Sequence, residues 1–161
     1  MSTTCRRVLA LVGLLVGVST LAISAAPAFS DQNVAAGNLN PTDRVIVQEI
    51  KVTGDSGDPV SITSVTVKNQ GSAASGQIDR IEFWDGGVKL GETTNISGLA
   101  SGITVNLGGY VIPRNEIRYL KVFVVVGTSV SGGETVQFQE QFYYERAGSS
   151  FTSPRITDLT G

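Results

Sequence analysis

The sequence predicts an all-β sandwich, and three observations predict it. Apolar residues recur with period two in short runs, as with Ile81 and Phe83 against Arg80 and Glu82, the mark of a strand with one wet face. β-Branched residues fill such runs, most densely over 60–67, and branching at Cβ suits a pleated surface and disfavours helix. Between the runs lie stretches rich in Gly, Asn, Asp and Pro, residues that supply the φ angles turns need. No long amphipathic helix and no internal repeat is visible.

Residues 1–30 read as a secretory signal peptide, excluded from the fold. Arg6 and Arg7 give the positive start, an apolar run covers 8–23, and Ala26-Pro27-Ala28 offers a small-residue cleavage pattern, with Ala28-Phe29-Ser30 as a second choice. The other reading is an uncleaved anchor, since the run approaches the ~20 residues that span a bilayer. Arg6-Arg7 fits a twin-arginine route only loosely, and no Gly or Ala precedes the run to mark a prepilin cut.

Loss of the leader takes Arg6 and Arg7 with it, leaving ten basic and fourteen acidic residues and a net charge of −4 instead of −2. A mildly acidic chain argues against nucleic acid as a partner, because phosphate neutralisation needs clustered Lys and Arg. Cys5, the one cysteine, leaves too, so the sandwich has packing alone to hold it. The 161 residues include no histidine, which removes the commonest general base and the commonest metal ligand together. Neither an enzyme nor a cofactor is expected.

Residues 31–43 are a polar linker or N-terminal arm. The first strand runs over 44–53, with Ile46, Ile50 and Val52 on one parity and Val45 and Val47 on the other. A Gly-Asp-Pro turn at 54–59 follows. The next strand, 60–68, puts Ile62 on one parity and Val65 and Val67 on the other, and 69–76 is a loop of small residues. Residues 78–84 form a strand that turns at Asp85-Gly86-Gly87 and returns through 88–90, a hairpin signature. Ile103, Val105 and Leu107 alternate in another strand, broken by Gly108-Gly109. After a turn at 113–116 comes the most apolar strand, 117–126. Leu120, Val122, Val124 and Val126 share one parity, and Tyr119, Phe123 and Val125 sit on the other, which predicts a central position. The last strand, 135–144, turns Val136, Phe138, Phe142 and Tyr144 inward. Glu140 interrupts that parity, and a bulge, or a strand emerging from the sheet, would explain it. Residues 147–161 are a C-terminal tail loosened over 147–150, with Pro154 inside it.

About seven strands with turns between them match an immunoglobulin-like sandwich over 44–146. A resemblance points the same way. Val65, Val67, Asn69 and Gly71, then Asp85-Gly86, then Val88, Leu90 and Gly91 resemble the middle of an immunoglobulin-like module of the CARDB kind. These are adhesion-related domains of secreted and surface proteins of bacteria and archaea. The segment 110–126 also resembles that family, with Asn115 where a Gly is common. The resemblance covers roughly 44–144 and implies an adhesion role, with no catalytic residues to carry over.

Several groups invite a functional reading, each beside a plainer one. Asp55 and Asp58, with Asp79 or Glu82 as a further ligand, have the oxygens calcium wants, but two Asp in a Gly-rich stretch also make an ordinary turn. Trp84, with Tyr110, Tyr119, Tyr143 and Tyr144, suits the flat faces of a polysaccharide, or else covers a sheet and its rims. Gln137, Gln139 and Gln141 form a self-pairing edge or a solvated face. The arm, or the tail with Phe151, Ile156 and Leu159, is a strand to be donated to a neighbour, though Pro154 blocks a continuous ladder. The Asn95-Ile96-Ser97 sequon suits a surface loop. The expectation is a secreted structural or adhesion module, at the cell surface or in the periplasm. Its partners are proteins, itself included. Polysaccharide is the alternative, and a membrane contact would come only through an uncleaved leader.

Overall fold

The computed structural model describes residues 25–34, 39–130 and 133–158. The apolar run of the leader lies outside them. The described residues form the predicted all-β sandwich of two antiparallel sheets. Its strands are β1 (Ala28–Asp31), β2 (Arg44–Thr53), β3 (Val60–Asn69), β4 (Ile78–Asp85), β5 (Val88–Thr93), β6 (Ile103–Ile112), β7 (Ile117–Val126), β8 (Phe138–Arg146), β9 (Ser149–Thr152) and β10 (Ile156–Thr157). One sheet runs β1-β2-β7-β4-β5. The other runs β10-β8-β3-β6, with β9 also on β8. Among the described residues no helix is long and apolar enough to cross a membrane.

The seven strands β2 to β8 are those read from the pattern. Strands β2 and β7 keep the bounds 44–53 and 117–126, and β7 lies between β2 and β4. The core between the sheets includes Ile50, Val65, Phe83, Leu120 and Phe142, each fully buried. Asn115 takes the left-handed conformation, φ 59°, that its turn requires.

Bulges decide which side chains face that core. Thr63 is an extra residue in β3 opposite β8, where Ile62 pairs Tyr144 and Ser64 pairs Tyr143. The slip brings Ile62, Val65 and Val67 onto one buried face despite their mixed parity. Val47 does the same in β2. It turns Gln48 inward with Ile50 and Val52, and it leaves Ile46 outside at 37% exposure although it shares their parity. Gly108 and Gly109 do not break β6. Both have positive φ, and 107–109 bulge opposite the single Thr63.

Two further expectations are corrected at β8. Its register is unbroken through Glu140, which pairs Val67 and stays on the inner face, fully buried. The loosened stretch at 147–150 is a tight turn, with Ala147 at φ 48° and Gly148 at φ 75°, which folds the chain back as β9. The sandwich therefore draws in residues on both sides of 44–146: β1 extends one sheet, and β9 and β10 extend the other.

Candidate functional site

The glutamines of β8 and the tail, two separate candidates in the sequence, meet in one place. Side chains at alternate positions of an extended chain share a face, so Gln137, just before β8, and Gln139 and Gln141 within it reach the same side. Each uses its amide nitrogen to hold the tail. Gln137 donates to the Asp158 carbonyl at 2.8 Å, Gln139 to Thr157 Oγ1 at 3.2 Å, and Gln141 to the Ser153 carbonyl at 3.3 Å. The row is occupied by the chain's own end. Pro154 divides the tail into β9 and β10, as a residue without an amide hydrogen must. Ser153 bridges the gap: its hydroxyl accepts the Phe142 amide hydrogen at 2.9 Å and donates to the Pro154 carbonyl at 2.7 Å. Ile156 is the buried apolar peg, Phe151 is 38% exposed, and Leu159 lies outside the described residues.

The N-terminal strand arrives at the same seam. Phe29 of β1 stacks on Phe142 at 5.1 Å and tilts onto Tyr144 at 5.6 Å, while Phe151 of β9 stacks on Tyr144 at 5.6 Å. β1 also contacts β10. An open groove of about 650 Å3 runs beside the β8–β9 turn, lined by Thr63, Ser64, Tyr143 and Phe151 among others.

Beneath this seam lies a polar pair the pattern did not single out as a pair. Gln48 of β2 and Glu140 of β8 are both fully buried, and neither side chain has a hydrogen bond of good geometry. Burial pushes the Glu140 carboxyl well above its ordinary range. The nearby Gln48 amide lowers it somewhat, and the charges of Asp158 and Asp31 raise it further. Glu140 is thus held as a neutral acid. The signal available in the sequence was its place on an otherwise apolar parity. Gln48 was hidden by the bulge before it.

The acidic turn is engaged internally. Asp55 is fully buried. One of its oxygens accepts the amide hydrogens of Gly57 and Asp58, the latter at 3.1 Å, and the other pairs with Arg146. Those are oxygens calcium would use. Among the described residues no three His, Cys, Asp or Glu side chains converge to hold a metal ion.

The aromatic candidates do not form one platform. Trp84 and Tyr119 share the outer face of the first sheet, whereas Tyr143 and Tyr144 belong to the second. Tyr110, on β6, donates its hydroxyl to Asp85. Burial, and then that carboxylate, push its own proton loss well above the usual phenol range. Trp84 is already in use. Its Nε1 donates to Glu82 at 2.9 Å, and the Arg44 guanidinium lies 4.9 Å from its ring centre and 3.6 Å from that of Phe123. Burial alone would raise the Glu82 pKa, but hydrogen bonds from Arg44, Trp84 and Arg80 outweigh it and hold the carboxylate below its usual value.

No protein-family model matches the chain, and no curated protein matches it. Among solved structures there is likeness to a family 123 glycoside hydrolase from Clostridium perfringens, analysed for glycolipid glycan hydrolysis. Identity is 12% and the TM-score 0.37, over 85% of this chain and 28% of that one. A likeness that distant carries no functional argument.

Proposed function

We propose that this protein is a secreted, non-catalytic structural or adhesion module of the cell envelope that works through protein–protein contacts and assembles by edge-strand pairing. One observation carries the reading: the β8 edge takes up an extended segment by backbone pairing, a row of glutamine amides and one apolar peg. Such an edge is a general receptor for a strand, with affinity from the main chain and selectivity from alternate side chains. The leader-like 1–30 supports export, and the CARDB resemblance supports adhesion. The test is light scattering on the purified chain across a concentration range, with electron micrographs of the same samples. Regular growth with concentration is the expected result; a monomer at every concentration overturns it.

Polysaccharide binding is the second reading. It rests on the outer face of the first sheet, where Ile46, Ile117 and Tyr119 are 37%, 48% and 44% exposed on the face that carries Trp84. A ligand on that face is expected to change the emission of Trp84, the one tryptophan.

A further inference from the structure

We propose that residues 149–158 are the exchanged element: they leave β8 of their own chain and take the identical place on β8 of a second copy. The inference rests on the assembly reading above and names its strand and its partner.

The tail is weakly tied where the rest of the fold is not. Every residue of β9 is exposed, β9 pairs with β8 at four positions and β10 at two. Ile156 is its one buried large apolar side chain. Burying it stabilises by ~1.5–3 kcal/mol, while ordering each residue of the segment costs ~1–2 kcal/mol of backbone entropy. Polar contacts, exposed for the most part, must make up the rest, so this segment opens ahead of the core.

What opens has a defined hinge. Arg146, the last residue of β8, is fixed by its ion pair with buried Asp55. Immediately after it, Ala147 sits in the left-handed region at φ 48°. Alanine has neither glycine's freedom nor a side chain to hydrogen-bond locally, so the position is strained by ~1 kcal/mol. Exchange straightens the turn and removes that strain, and short hinges under strain favour swapping. Every other contact is regained, because the incoming tail is chemically the same as the one that left.

An opened copy is also receptive. Departure of the tail strips the Phe142 amide of its Ser153 partner and uncovers one face of Tyr144, leaving a bare strand edge. The segment that fits the glutamine spacing and the Ile156 site is another copy's tail. Reciprocal exchange closes a dimer; non-reciprocal exchange continues into a fibre.

Glu145 and Ser150 are Cα partners across the β8–β9 ladder and both are exposed, so cysteines there tolerate folding and lie within disulfide reach. The experiment uses the full chain with Cys5→Ser and two separately purified variants, Glu145→Cys and Ser150→Cys, mixed at high concentration and oxidised. The expected result is a disulfide-linked heterodimer about tenfold in excess of either homodimer. Ala147→Gly, which relieves the hinge, lowers its yield, and Ala147→Pro, which cannot adopt positive φ, raises it. A heterodimer no more than about twofold over either homodimer, the statistical ratio, means surface collision and overturns the exchange. Concentration-dependent growth without the heterodimer overturns the exchange and leaves edge-strand assembly standing. A strict monomer overturns both.

Discussion

Glu140 is the residue whose environment departs furthest from its chemistry. A carboxyl with no exposure, beside Gln48 and near Asp31 and Asp158, is stable there only as the neutral acid. Its folded pKa lies above its unfolded one. The stability it permits is therefore fully present below the ordinary carboxylate pKa and is lost as pH rises toward the folded value, by up to ~1.4 kcal/mol per pH unit. Glu140→Gln keeps the shape and removes the titration. Thermal unfolding should show the variant more stable than the parent at pH 8 and equal to it at pH 4; parallel curves at both would show that Glu140 does not titrate in this window. Asp55 is the opposite case, a buried charge with its partner in place. Arg146→Ala should destabilise by ~3–5 kcal/mol in urea unfolding, because it takes the Arg146 counter-charge from a buried carboxylate. At Glu82 the sign is the opposite of that at Glu140. Its folded pKa is depressed, so its contribution is present above the unfolded pKa and lost as pH falls through the folded one. The emission of Trp84, bonded to it, should report that acid transition and lose it in Glu82→Gln.

At the scale of elements, the legible part was the set of strands with their own alternation. The bounds 44–53 and 117–126 and the seven-strand count could be read because branched residues and turn residues sit in the right alternation. Facing was less legible, since a single bulged residue such as Val47 or Thr63 reverses every side chain after it: at Thr63 the switch of apolar parity is visible, but at Val47 the apolar parity runs on through Ile46, Ile50 and Val52 and conceals it. Ile46 and Gln48 were hidden for that reason. The terminal strands were illegible for another: β1, β9 and β10 are two to four residues long, and what orders them is a distant edge, not their own alternation. The candidate glutamines and tail were each visible, but their meeting is a long-range contact. Gly91 shows the same limit. A Cβ there would lie 2.1 Å from the Asn106 carbonyl oxygen, so β5 and β6 close one side of the sandwich by a backbone approach that admits only glycine. Gly91→Ala should lower stability by ~1–3 kcal/mol in thermal unfolding.

On the whole molecule, the two long sides of the sandwich are sealed differently. One side is closed by the tight approach of β5 to β6, in mid-chain; the other by β1 and β10, the two ends of the described chain, lying against each other. Of the two cleavage patterns, a cut after Ala28 keeps Phe29 on Phe142, and a cut after Ser30 discards it. On the proposed export, intact mass of the processed chain should place Phe29 first. The sealing of one side by both ends also sets how the domain bears tension. A pull on its ends meets the outermost pair of each terminal strand first. A load drawn across the strands on the C-terminal side should break hydrogen bonds in sequence, from Asp158–Phe138 back to the Ala147-Gly148 turn, whereas one drawn along them would shear them together. The released segment pays out ten residues at ~3.3–3.6 Å apiece before force reaches the ion pair at Arg146 and the seven strands behind it. A module strung between two attachments would stretch at its margins and keep its body intact.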